Sequence, residues 1–382
     1  MTTQSLYNLS PVAWLILIGL LLALLPLVWV WRRHRGATPA RRVQALTLMT
    51  LFLTFDLVLF GAFTRLSDSG LGCPDWPGCY GSSSPWGAQH AIASAESAMP
   101  TGPVTQSKAW VEMVHRYLAS GVGFLILLLA VASWRPKWAQ LEPSTLKPWW
   151  AGFTLFWVCL QGAFGALTVT MKLFPAIVSL HLLGGMVLLA LLCAQWVWQS
   201  QALDRVPRVH LNPNLRNLLW LGLTVLAIQI ALGAWVSTNY AVLACNEFPK
   251  CQDSWWPLMD FKQGFEFWRE LGHTQAGAVI AFQALTAIHY VHRMMAGVVS
   301  LLLLTLAWRM NHISGLRGAA RWLASLIALQ FLTGLSNVVL DWPLVAALLH
   351  TGGAAALVIV MTWALCWGRA EKSVVHAPQS TA

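Results

Sequence analysis

Residues 176–199 read AIVSLHLLGGMVLLALLCAQWVWQ, a run with no formal charge and one histidine, His181. A bilayer core of about 30 Å needs roughly 20 apolar helical residues to cross it, and this run is long enough. Eight further runs share the pattern, at 12–31, 43–64, 115–133, 149–171, 216–237, 287–308, 322–340 and 344–367. Composition agrees. Of 382 residues, 57% are apolar and 10% charged, against about 25% charged in soluble domains, and the mean hydropathy is +0.60. The first run does not read as a cleaved signal, because its positive cluster follows the apolar stretch. The sequence predicts an all-α integral membrane protein with nine spans.

The opening run has a counterpart 169 residues on. Residues 344–367 read LVAALLHTGGAAALVIVMTWALCW, where His350 again precedes a Gly-Gly pair. The same offset relates Gln161 and Gly165 to Gln330 and Gly334. An offset of 172 relates Gly61-Ala62 to Gly233-Ala234, Cys73 to Cys245 and Cys79 to Cys251, and one of 177 relates His115-Arg116 to His292-Arg293. Both halves therefore run helix, Cys-pair loop, His-Arg helix, Gln-x-x-x-Gly helix, His/Gly-Gly helix. Each half has an even number of spans, so the repeats are parallel, related about an axis along the membrane normal. The expected organisation is an extra N-terminal transmembrane helix with a basic loop (1–42), two pseudo-symmetric four-helix transmembrane bundles (43–200 and 201–370) and a short tail (371–382).

The net charge of +10 reports topology. Arg32, Arg33, Arg35, Arg41, Arg42, Arg135, Lys137, Lys147, Arg205, Arg208, Arg216, Arg309, Arg317, Arg321, Arg369 and Lys372 all fall on one side of the predicted spans, 16 of the 24 Lys and Arg. The positive-inside rule assigns that side to the cytoplasm. The N-terminus is then outside, the C-terminus inside, and no nucleic-acid partner is implied. The two long loops, 65–114 and 238–286, are outside. There the five-residue gaps between Cys73 and Cys79, and between Cys245 and Cys251, suit small loop disulfides better than metal sites.

On this topology His115 and His292 stand at the outer ends of their spans, and His181 and His350 one to two turns in from the same face. Two facing imidazoles in a helical bundle, with glycines clearing a slot, form a haem arrangement. Zinc wants three or four converging ligands, more than either half offers. Arg116 and Arg293 are candidates to pair with haem propionates. The bland alternatives are interfacial histidines and arginines that snorkel to the headgroups. The halves differ where Glu112, three residues before His115, corresponds to His289. A carboxylate beside a haem pocket can move protons; otherwise it caps the span as a solvated residue.

Gly61-Ala-Phe-Thr-Arg-Leu66, Gly70-Leu-Gly-Cys-Pro-Asp-Trp-Pro-Gly-Cys79, Glu112-Met-Val-His-Arg116, Gln229-Ile-Ala-Leu-Gly-Ala234 and His289-Tyr-Val-His-Arg293, with His181 and His350, resemble the haem A synthase family over about residues 45–368. The resemblance implies oxidation of the C8 methyl of haem O to a formyl group, giving haem A for cytochrome oxidases. It implies haem b on His292 and His350, substrate haem on His115 and His181, and Glu112 as the catalytic carboxylate. The setting would be the bacterial inner membrane, with lipid around the chain. Haem O synthase, cytochrome oxidase assembly factors and an unidentified electron donor are the expected partners. The span at 12–31 departs from the family's eight-helix pattern. The residues alone leave open a di-haem b electron-transfer subunit or a haem carrier.

Overall fold

The computed structural model describes residues 10–134, 147–204 and 209–370. Among these, nine helices are long and apolar enough to cross a membrane: α1 (Ser10–Arg33), α2 (Pro39–Leu66), α3 (Gln106–Trp134), α4 (Pro148–Thr170), α5 (Pro175–Asp204), α6 (Pro213–Thr238), α7 (Phe282–Asn311), α8 (Arg317–Val339) and α9 (Leu344–Trp367). The protein is a multi-pass all-α membrane protein. Among the described residues, one short sheet pairs Val209–Leu211 with Gly368–Ala370 in parallel. Arg135, Lys137, Arg205, Arg208, Lys372 and the 371–382 tail lie outside the described residues.

Local chemistry starts corresponding helices alike. Thr38 Oγ1 accepts the Arg41 N–H at 3.4 Å ahead of Pro39, and Asn212 Oδ1 accepts the Leu215 N–H at 2.7 Å ahead of Pro213. A side-chain acceptor with proline in the first turn satisfies donors that the helix itself cannot. One expectation is corrected here. α3 and α7 begin at Gln106 and Phe282, not near 115 and 287. Lys108 and Glu112 interrupt the apolar run of α3 without breaking its helix, so the hydropathy pattern stops short of the helix end. His115 and His292 therefore stand nine and ten residues inside their helices, not at the outer ends.

In the first half α2 and α4 each pack against α3 and α5; in the second, α6 and α8 each pack against α7 and α9. The halves meet through α2, α5, α6 and α9, leaving α3, α4, α7 and α8 at the periphery. Arg65 donates to the Ser237 carbonyl at 2.6 Å, and the Tyr240 hydroxyl to Asp68 at 2.7 Å. Both pairs join residues 172 apart, so they link equivalent positions of the repeat. Such a bond forms only close to the axis that relates the two halves. Burial pushes the Tyr240 phenol up, which keeps its proton available for Asp68. α1 lies outside this arrangement, against α3. Gly19 permits the contact, since a Cβ there would fall 2.5 Å from Ser120 Cβ.

Candidate functional site

The cysteine loops follow α2 and α6 and cap the ends of the two bundles. Disulfides join Cys73 to Cys79 and Cys245 to Cys251, with Cα atoms 4.9 and 4.8 Å apart. Each loop closes with the same antiparallel bridge, Cys79 to Ser82 and Cys251 to Ser254. The arginine of each His-Arg pair holds the loop down. Arg116 donates to the carbonyls of Asp75 (3.0 Å), Pro77 (3.2 Å) and Gly78 (2.6 Å). Arg293 donates to those of Pro249 (3.0 Å) and Lys250 (3.2 Å). Arg116 is thus engaged by the loop and by Glu112. Arg293 keeps Nη1 buried without a partner among the described residues, the better placed of the two for an added anion.

Beneath the loops lies a cavity of about 1300 Å³ that takes in His115, His181, His292 and His350. It exceeds the ~300–1,000 Å³ of an ordinary small-molecule pocket. Every imidazole faces a glycine on a neighbouring helix. Added Cβ atoms at Gly61 and Gly233 would stand 3.0 Å from Cε1 of His115 and His292. Those at Gly165 and Gly334 would stand 3.4 and 3.2 Å from Cε1 of His181 and His350. Larger residues would push each ring out of its place.

The His292 and His350 ring centres are 6.5 Å apart, with planes at 79°. Two imidazole nitrogens on opposite sides of one metal, each bonded at about 2 Å, lie about 4 Å apart, and the ring centres stand further back. The observed spacing suits that arrangement. Nδ1 of His292 lies 3.1 Å from the Gln229 amide, and Nδ1 of His350 lies 3.0 Å from the Thr333 hydroxyl. His115 and His181 have Nδ1 buried without a partner among the described residues. Thr333 was not singled out from the sequence, and Gln229 entered only within a motif. Comparing the polar residues of the two halves would have found both, because Leu57 and Phe164 occupy the equivalent positions.

Glu112 is 4% exposed, which corrects the reading of it as a solvated cap. One carboxylate oxygen accepts the Cys73 N–H at 2.8 Å; the other pairs with Arg116. The carboxylate lines the cavity with His115, so the predicted site residues of the first half come together. His289, its counterpart, also lines the cavity, and its Nδ1 has no partner among the described residues. Buried imidazoles in glycine slots, an unpartnered Arg293 donor and apolar walls fit a flat, metal-bearing macrocycle with acidic arms.

Known proteins carry the same framework. Residues 44–362 match a family model described as cytochrome oxidase assembly protein, COX15-CtaA. A "Heme A synthase" of Shewanella oneidensis is 38% identical over 313 residues, 82% of this chain and 92% of that protein. One from Symbiobacterium thermophilum is 29% identical over 326 residues, 82% and 90% of the two chains. One from Rhizorhabdus wittichii is 26% identical over 357 residues, 86% and 96%. The family model begins inside α2 and leaves α1 outside it. With the match running through all eight helices of the two bundles, the chain belongs to the COX15-CtaA family of cytochrome oxidase assembly proteins, to which its heme A synthase relatives point.

Proposed function

We propose that the protein is a haem A synthase: it oxidises the C8 methyl group of haem O to a formyl group, with haem b as its resident cofactor. The observation that carries this reading is the duplicated pair of buried imidazoles in one cavity, in a chain of this family. In the proposed division of labour, residues 201–370 hold haem b through His292 and His350. Residues 43–200 receive the substrate haem at His115 and His181. Haem b, when bound, would supply one-electron chemistry at a potential that His292 and His350, as its ligands, would tune.

The chain's own residues do the rest. Turning a methyl into a formyl group, with water as the formal oxygen donor, releases four protons and four electrons, and the electrons go to an external oxidant of the quinone or dioxygen class, which this reading requires. The apolar cavity walls keep bulk water away, so a side chain has to take up those protons. Glu112 lines the cavity one helical turn from His115, and a carboxylate so placed acts as general base. Arg116 and the Cys73 N–H hold that carboxylate in position. Arg293 Nη1 is the donor left for a haem carboxylate.

The charge distribution supports a bacterial inner-membrane setting, with the cysteine loops and N-terminus outside and the C-terminus in the cytoplasm. Haem O synthase and cytochrome oxidase assembly factors are the partners this role implies. Pigment extraction from the purified protein tests the reading. His292→Ala and His350→Ala should strip haem b. His115→Ala and His181→Ala should keep haem b and abolish haem A. If all four variants lost the same haem, the two-site reading would fail, and haem b alone in the wild type would favour electron transfer.

A further inference from the structure

We infer that Gln229 and Thr333 are positioning residues that fix the second-half imidazoles as permanent iron ligands, and that their absence from the first half lets that half release its haem. The inference rests on the proposed division of labour and supplies its cause.

The two halves place their imidazoles alike. Gly61 and Gly233 back His115 and His292, and Gly165 and Gly334 back His181 and His350. What is not duplicated is the partner of Nδ1, which in the second half comes from the same helix as the backing glycine. A histidine that binds metal through Nε2 carries its proton on Nδ1, and a partner for that proton fixes both tautomer and ring plane.

Thr333 is already arranged for this. Its hydroxyl donates to the Leu329 carbonyl at 2.7 Å, so an oxygen lone pair is left for the Nδ1–H of His350, 3.0 Å away. Gln229 has its amide nitrogen 3.1 Å from His292 Nδ1 and 3.2 Å from the His292 carbonyl, to which it donates, while its amide oxygen is buried without a partner among the described residues. With the ring unligated, the amide N–H donates to Nδ1. Once Nε2 is taken, a half turn of the amide presents the free oxygen to Nδ1–H. An amide can serve both states because it carries donor and acceptor at one end.

At the repeat offsets of 172 and 169, Leu57 and Phe164 stand in these places. Neither side chain has a hydrogen-bonding atom. His115 and His181 are accordingly buried with Nδ1 unpartnered among the described residues. An imidazole so left has no bonded partner to fix its tautomer and holds iron more weakly. That suits a site whose haem must arrive, react and leave. Loss of one such outer partner typically lowers metal affinity 10- to 100-fold.

The test uses the full-length protein purified in detergent, with haem b loss followed by transfer to excess apomyoglobin. Gln229→Leu and Thr333→Val should each speed haem b loss about 10- to 100-fold. Each should also raise the haem b midpoint potential, because a less basic imidazole stabilises ferric iron less. Thr333→Ser, which keeps the hydroxyl, should restore both properties and so excludes a folding defect. Leu57→Gln should slow release of haem from the first half. Wild-type loss rates and potentials in both Gln229→Leu and Thr333→Val would overturn the inference while leaving the two-site reading intact. Retention of haem b by His292→Ala would instead overturn the two-site reading itself.

Discussion

Glu112 has two tasks that a single substitution separates. It lines the cavity beside His115, and it anchors the Cys73 loop through a backbone N–H. Glu112→Gln keeps an oxygen to accept that N–H and removes the group that titrates. Haem A output, measured by extraction and chromatography, should fall by about 10²–10⁴-fold, the usual worth of a general base. Haem b content should stay unchanged, and a partly oxidised hydroxymethyl haem should accumulate. Near-normal output would reduce Glu112 to a loop anchor. The sequence made this residue visible, because a carboxylate three positions from a repeated histidine stands out. Its bonds to Cys73 and Arg116 were not visible, since folding joins segments 39 residues apart to make the first of them.

At the scale of helices, length and hydropathy marked all nine spans, because a bilayer leaves few other ways to bury a charge-free run. The ends were harder to place. α3 extends N-terminally past its apolar stretch, where Lys108 and Glu112 lower the hydropathy yet remain helical, and this places His115 nine residues inside the helix. α1 was recognised as additional, and the structure shows how it is held. Its contact with α3 depends on Gly19, which nearly touches Ser120. Gly19→Leu overpacks that contact, and such changes cost about 1–3 kcal/mol. Thermal unfolding should begin at lower temperature while haem b content stays at the wild-type level. Loss of haem b in this variant would tie α1 to the cofactor site.

For the whole molecule, the distribution of charge predicts which end faces the cytoplasm. Reporter fusions after residues 40, 140, 207 and 315 should all report cytoplasm; outside signals at two or more would sink the nine-span topology. The Arg41–Asp204 pair at 2.6 Å, between the start of α2 and the end of α5, belongs to that basic end. The repeat was legible as matching strings 169 to 177 residues apart, but the contact between the halves was not. Nothing in the neighbourhood of Arg65 announces Ser237, and only the folded chain brings Asp68 to Tyr240.

Those two bonds between equivalent positions carry a consequence for ancestry. Identical subunits related by a two-fold axis meet through the same patch on each partner. An interface joining position 65 to 237 and 68 to 240 has the form of such a patch. Fusion of a symmetric pair of four-helix chains, each with the same pocket, would leave this arrangement behind. In such a pair any substitution alters both pockets at once, so neither can specialise. Joining the genes ends that constraint. Glu112 then stands opposite His289, and Leu57 opposite Gln229; under the proposed division of labour, these differences separate a pocket that would hold its haem from one that would transform it.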